Sequence, residues 1–345
     1  MGWDIGGAHL KAALLDSGGV AQSVVQVACP LWRGLNELDH AIGQIQAISK
    51  VQARMGELPD VHAITMTGEL VDLFKNRSAG VVAIAQHLKK TLAGEIYFYA
   101  GLEGFVRFEQ ISSVTNEIAS ANWLASADFI AQKMPNALFV DVGSTTSDLV
   151  LITNGKVCAG GNSDAGRMRL DELVYSGVIR TPLMALGQKV QFGGGLTSLA
   201  AEHFATTADV YRLTADLLAE DDMAETADSV GKSQLESARR LARMIGHDVE
   251  DADLKEWINL AQAFKDMQLN RLQEAVERVS GENASVPLVG AGAGKFLAAQ
   301  LANKMKRPYI DAMDLIHANS DHEKYWGGVC LPAYAVATLA LQRAC

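Results

Sequence analysis

The sequence predicts an α/β protein of two related lobes arranged around a central cleft. Three observations carry this. Strand-like and helix-like segments alternate along the chain, the signature of sheets covered by helices. Asp4-Ile-Gly-Gly-Ala-His-Leu-Lys-Ala-Ala-Leu-Leu15 aligns without gaps on Asp141-Val-Gly-Ser-Thr-Thr-Ser-Asp-Leu-Val-Leu-Ile152, so one strand–turn–strand unit occurs twice. The 345 residues, 49% of them hydrophobic, can fill two cores.

The elements follow in order. Residues 1–16 read as two strands and 21–28 as a third. Residues 37–55 are helical, with Leu38, Ile42, Ile45 and Ile48 at helical spacing. Residues 61–66 form a strand whose exit loop is Thr67-Gly68-Glu69, the kind of loop where α/β proteins place ligands. A helix over 81–92 and a strand over 95–100 come next. Residues 116–133 read as one long helix, ended by Pro135, which marks the passage between the lobes: 1–134 with the returning helix 329–345, and 135–328 with a helical insertion over about 200–280. Residues 156–160 read as a strand, 161–169 as a loop and 170–175 as helical. The acidic stretch 216–234 reads as an exposed lid or loop, and helices follow over 235–245 and 253–279. Val286 to Leu297 is strand, glycine turn and helix, with a last helix over 331–342. Pro135 and Gly327-Gly328 are the expected hinge points.

Charge and cysteine content exclude some classes. A net charge of −10 argues against nucleic-acid binding, which needs a basic face. Cys29, Cys158, Cys330 and Cys345 are scattered with no CxxC pair, which fits a reduced compartment without structural zinc. No signal-like leader or membrane-length apolar run is seen, so a cytoplasmic, membrane-free location is expected. A homodimer is compatible with the sequence.

The repeated motif carries the chemistry. Gly143 gives backbone freedom, and Ser144, Thr145 and Thr146 set N–H and O–H donors around one point. Gly6, Gly7 and His9 hold the equivalent places in the first copy. Asp4 and Asp141 head the two copies, and a carboxylate beside such donors suits a hydrated divalent cation bridging to phosphate. A hairpin whose Asp and Thr satisfy turn amides is the plainer alternative. Lys11 is either a phosphate contact or a solvated strand residue. Arg167 could grip a diphosphate bidentately, and Arg180, interrupting an apolar run, is either paired or functional. Glu69 is a candidate base, or a cap for the following helix. Asn122 lies beside Trp123, a core-type aromatic. Gly290, Gly292, Gly294 and Lys295 resemble neither a P-loop, since position 289 is Val and Phe296 follows the lysine, nor a complete dinucleotide fingerprint. What they supply is a helix N-terminus with free amides.

The two motif copies resemble the phosphate motifs of the actin/sugar-kinase/Hsp70 superfamily, whose lobes are ribonuclease-H-like; there the Gly290–Gly294 stretch corresponds to the nucleoside contact. Gly2-Trp-Asp-Ile-Gly-Gly-Ala-His-Leu-Lys11, Met66-Thr-Gly-Glu69, Ala119-Ser-Ala-Asn-Trp123, Asp141 to Asp148 and Arg180-Thr-Pro182 together resemble the hydantoinase/oxoprolinase-like proteins, among them those linked to tetrahydromethanopterin-dependent C1 transfer. That resemblance spans the chain. It implies a transferase of methanofuran or methylofuran biosynthesis, joining an aminomethylfuran methyl diphosphate to the phenol of tyramine, γ-glutamyltyramine or tyrosine. Asp4 and Asp141 would then hold Mg2+, and Glu69 would take the phenol proton. An ATP-dependent small-molecule kinase and a non-catalytic nucleotide-binding regulator are the alternative readings.

Overall fold

The computed structural model describes residues 1–53 and 60–344, so the end of the helix expected over 37–55 lies outside the described residues; its visible part is Asn36–Gln52. The chain forms two compact units.

The first unit takes Met1–Asn136, Ile152–Cys158 and the chain from Asp311 onward. Its sheet has β1 (Gly2–Ile5), β2 (His9–Leu15), β3 (Ala21–Ala28), β4 (Val61–Met66), β5 (Glu95–Tyr99) and β6 (Phe105–Val106), in the order β3-β2-β1-β4-β5-β6. β1 pairs antiparallel with β2 and parallel with β4. Every residue of β1 is buried, as a central strand covered on both faces requires. Trp3 and Ile5 join the core made by Leu38, Ile42 and Ile45 of helix Asn36–Gln52 and by Val81 and Ile84 of helix Arg77–Thr91. On the other face the helix Leu331–Ala344 lies so close that a Cβ at Gly2 would meet the Ala333 carbonyl at 2.1 Å. The second helix begins a turn before the expected start, because Asn76 caps it by accepting a bond from the Ala79 amide.

The second unit takes Ala137–Leu151 and Ala159–Ile310. Its strands are β7 (Ala137–Val142), β8 (Ser147–Thr153, whose end passes into the first unit with β9, Lys156–Val157), β10 (Leu173–Val174), the hairpin β11 (Lys189–Phe192) and β12 (Gly195–Ser198), β13 (Leu288–Ala291) and β14 (Tyr309–Asp311). The sheet order is β10-β8-β7-β13-β14, with β9 on β8 and β13 parallel to β7. Helices Thr207–Leu213, Gln234–Met244 and Leu254–Ser280 share its core, where Trp257, Phe264 and Tyr211 are fully enclosed. In both units a first strand turns tightly into its neighbour and is flanked on the other side by two strands separated in sequence by a helix. This connectivity is ribonuclease-H-like, and the fold is the α/β class expected, with that unit present twice.

Four local expectations fail. The helix expected over 116–133 is broken into Thr115–Ile118 and Asn122–Lys133: Ala119 bridges to Met66, and Ser120 takes a left-handed φ of 53°. Residues 161–169 are a loop only at first, since Ser163 caps a helix Asp164–Arg169. The helix expected over 170–175 is a turn followed by β10, because Leu173 and Val174 pair with Asp148 and Ser147. The acidic stretch is the largely exposed loop expected, between helices Thr207–Leu213 and Gln234–Met244, but not all of its carboxylates face solvent. Arg212 grips the buried Asp222 at 2.7 and 3.0 Å, and Arg240 bonds Asp209 at 2.8 Å and Asp228 at 2.9 Å. Arginines from neighbouring helices thereby neutralise carboxylates that look solvated in the sequence. Lastly, the expected crossing at Gly327 and Gly328 lies elsewhere: both are buried inside helix Asp321–Val329, against Ile316 and Met313, and the chain re-enters the first unit at Asp311. Among the described residues, no helix is long and apolar enough to cross a membrane.

Candidate functional site

In the second unit, β7 delivers Asp141 to the start of a tight turn. The Gly143 amide donates to the Thr146 carbonyl at 2.9 Å, and the Ser144 and Thr145 hydroxyls lie 3.3 Å apart. The strap 177–180 lies along the outside of this turn. Val178 donates to the Gly143 carbonyl at 3.0 Å, while Ile179 and Arg180 donate to the Ser144 carbonyl at 3.1 and 2.8 Å. The Arg180 side chain is exposed, with no ion-pair partner among the described residues. The glycine motif closes the other side: Ala291 pairs with Asp141, and the Gly294 amide donates to the Val142 carbonyl at 2.8 Å. Gly292 has φ 79°, and a Cβ there would fall 2.4 Å from Asp141 Oδ1. Only glycine admits both that backbone and that approach. Helix Lys295–Lys304 then starts beside the turn. Asp141, Gly143, Ser144, Thr145, Thr146, Arg180, Gly290, Gly292, Gly294 and Lys295 therefore belong to one neighbourhood, rich in N–H and O–H donors around one half-buried carboxylate.

In the first unit the equivalent turn leaves β1 through Gly6 and Gly7, with the Gly6 amide donating to the His9 carbonyl at 3.0 Å. Asp4 is buried, and Lys11 Nζ stands 3.6 Å from its Oδ2. Pairing on both sides sets Asp4 opposite Lys11 and Thr65, so the three side chains share one face of the sheet. The Glu69 segment is pinned against the same turn. Thr67 donates to the Ile5 carbonyl at 2.9 Å, and a Cβ on Gly68 would sit 3.1 Å from that oxygen. Glu69, only 1% exposed, accepts from Ser120 Oγ at 2.9 Å, and Asn122 follows two residues later. Cys29 also backs the turn, its amide donating to the Ala8 carbonyl at 2.8 Å. Burial, reinforced by Glu37, pushes the Cys29 thiol up to about 12, so it stays protonated and is no nucleophile.

Arg167 is placed otherwise than expected. Its guanidinium is buried, bonded to Asp148 Oδ1 at 2.8 Å and to the Glu172 carbonyl at 2.9 Å, and so holds β8 to the chain before β10. A buried arginine committed to a carboxylate is a structural tie, and this removes Arg167 from the phosphate set. Trp123 is core, while the Asn122 side chain accepts the Trp123 amide at 2.9 Å. Asp4 and Asp141 lie in different units. Sequence reading missed Gly177 and Thr207, which support the turn, and Ser120 as the partner of Glu69. Gly177 carries no signal beyond a small residue before an apolar run.

Two ribonuclease-H-like units, each opening with an Asp-headed glycine turn, give the chain a fold of the actin/sugar-kinase/Hsp70 type. The sequence model of the hydantoinase/oxoprolinase family matches residues 60–318, and the chain belongs to that family. It is 29% identical over 342 residues to the (4-{4-[2-(gamma-L-glutamylamino)ethyl]phenoxymethyl}furan-2-yl)methanamine synthase of Methanocaldococcus jannaschii, covering 98% of this chain and 96% of the relative. The synthase of the same name from Methanococcus vannielii is 28% identical over 216 residues, which are 62% of this chain and 95% of that protein. Among solved structures, a ROK family glucokinase from Streptomyces griseus in complex with glucose and AMPPNP aligns over 99% of this chain and 98% of its own, with 15% identity and a TM-score of 0.48. The family and the full-length synthase relative make the chain an enzyme.

Proposed function

We propose that this enzyme acts in methanofuran or methylofuran biosynthesis, transferring the furfuryl group of an aminomethylfuran methyl diphosphate to the phenol oxygen of tyramine, γ-glutamyltyramine or tyrosine. One observation carries the reading. The second unit gathers Asp141, the hydroxyl-rich turn, the exposed Arg180 and the start of helix Lys295–Lys304 at one place, a donor set matched to a diphosphate. The full-length similarity to a named furan–phenoxymethyl synthase supplies the substrate class.

The chemistry balances with one bond broken and one made. The carbon–oxygen bond to diphosphate breaks heterolytically, and the electron-rich furan delocalises the resulting cation. The phenol oxygen forms the new bond to that carbon and loses its proton, giving an aryl ether and diphosphate. Turn amides, hydroxyls and Arg180 stabilise charge growing on the leaving group. Glu69 is the carboxylate assigned to accept the phenol proton, with Asn122 on the acceptor side. Gly6, Gly7, His9 and Lys11 are assigned to phosphate oxygens. Mg2+ commonly takes one or two carboxylates and completes its shell with water and substrate oxygens. Asp141 beside the hydroxyls fits that habit, whereas Asp4 already has the Lys11 ammonium 3.6 Å away. Bound there, the ion would neutralise the diphosphate.

The test is to incubate the protein with the furan diphosphate, Mg2+ and each phenol, with and without ATP. The expected result is an aryl ether visible by mass, with equimolar diphosphate, in the absence of ATP. A product that requires ATP would move the reading to a kinase. No ether from any of the three phenols, with nucleotide still bound, would leave a regulatory binding protein.

A further inference from the structure

We propose that Gln268, in the middle of helix Leu254–Ser280, is a positioning residue for the 143–146 turn, acting through the Gly177 carbonyl. This rests on the reading of that turn as the diphosphate holder. Gly177 is where the strap meets the turn: a Cβ there would lie 2.4 Å from Ser144 C and from Thr145 N, so the two backbones touch. The Gly177 carbonyl receives two buried side-chain bonds, from Gln268 Nε2 at 2.9 Å and from Thr207 Oγ1 at 2.9 Å. Its amide donates to Thr181 Oγ1 at 2.8 Å. One residue earlier, the Ser176 carbonyl accepts from Ser147 Oγ at 2.6 Å, which ties the strap to β8 beyond the turn.

The Gln268 amide has a defined orientation. Its Oε1 accepts from Tyr211 Oη at 2.5 Å, which leaves the NH2 group to face Gly177. Burial keeps the Tyr211 hydroxyl protonated, its pKa well above the ordinary value, so it remains the donor. Gln268 and Thr207 are both fully buried. A buried amide with both ends bonded costs little, and one stripped of a partner costs its desolvation. The helical insertion thus reaches the turn through Thr207 and through a longer relay: Tyr211 to Gln268, Gln268 to Gly177, Gly177 to the backbone of Ser144 and Thr145, with the next three strap amides clamping the turn carbonyls.

The experiment compares Gln268→Leu, Gln268→Glu and Leu272→Val, a control one helical turn along in the same core. Hydrogen exchange of residues 143–147 and 176–180 is read without ligand, and inorganic diphosphate with Mg2+ is titrated calorimetrically. Gln268→Leu should speed exchange in both segments and weaken diphosphate about tenfold, the loss of one net buried hydrogen bond. Leu272→Val should lower the melting temperature and leave both readouts at the wild-type values. Gln268→Glu should recover wild-type exchange protection as pH falls and its carboxyl becomes a donor toward Gly177. Unchanged exchange in a folded Gln268→Leu protein, or equal loss in Leu272→Val, would overturn the proposal. Wild-type protein that ignores diphosphate while Gln268→Leu still loosens the turn would instead sink the diphosphate reading and leave the positioning role intact.

Discussion

Ser120 Oγ donates to Glu69 Oε1 at 2.9 Å, from a backbone bent to φ 53°. The two residues are far apart in sequence and both are buried. A serine in the left-handed region costs on the order of 1 kcal/mol, so the chain accepts local strain, and a broken helix, to give a buried carboxylate a donor. Ser120→Ala should destabilise the protein by about 1–3 kcal/mol, because it removes the donor and keeps the strain. Ser120→Gly should cost less, since it removes both. Urea unfolding of the two variants decides the point, and an equal loss in both would argue against strain at Ser120.

Glu69→Gln should slow ether formation more than it weakens binding of the phenol. That pattern marks an interaction made in the transition state rather than in the ground state. Steady-state kinetics with each phenol supply the comparison. An unchanged kcat would exclude Glu69 as the base.

Asp141→Asn should weaken Mg2+-dependent diphosphate binding by about 1.5–3 kcal/mol while the fold persists, because one charge-assisted contact is lost. Asp4→Asn should act less on affinity, since Lys11 remains beside position 4. Calorimetric titration measures both, and equal wild-type affinity in the two variants would refute the metal assignment.

Gly292→Ala should destabilise by about 2 kcal/mol or more, through its positive φ and the approach of Cβ to Asp141. Diphosphate binding should fall with it, because Asp141 must move. Thermal unfolding and titration of one sample would show both losses, and full affinity in this variant would separate Gly292 from the site.

His62 sets an acid limit on stability. Its Nδ1 accepts from Trp3 Nε1 at 3.1 Å, and its Nε2 faces the Ala93 carbonyl at 3.0 Å, so the neutral ring carries its proton on Nε2. Burial is the main reason its pKa falls from 6.5 to about 4. The unfolded chain therefore binds this proton at a higher pH than the folded one. The stabilisation is complete above about pH 6.5 and is lost as the pH drops toward 4, by roughly 3 kcal/mol at most. Urea midpoints across that range should fall in the wild type and flatten in His62→Gln; parallel curves would contradict the assignment.

Where the sequence was legible, one local rule sufficed. β3 and β4 run over the residues expected because apolar runs between turn signals leave little choice. Gly292 and Gly294 stood out in a dense glycine turn between a strand and a helix. Ser120 gave no such cue: Asn-Glu-Ile-Ala-Ser-Ala-Asn-Trp reads as good helix, and its partner Glu69 comes from the turn that follows β4. Arg167 drew attention for its charge, but nothing near it in sequence reveals that Asp148 would claim it.

By itself, then, the sequence determined the alternation of strands and helices, the doubled Asp-headed glycine turn and the family, because periodicity and short-range turn chemistry act within a few residues. Only the tertiary structure decided which charges are spent on one another. Arg240 with Asp209 and Asp228, Arg212 with Asp222, and Gln268 with Gly177 are each joined by the packing of a helix against another helix or a loop. A buried polar group must take the partner that the fold brings within about 3 Å, and sequence distance does not encode that choice.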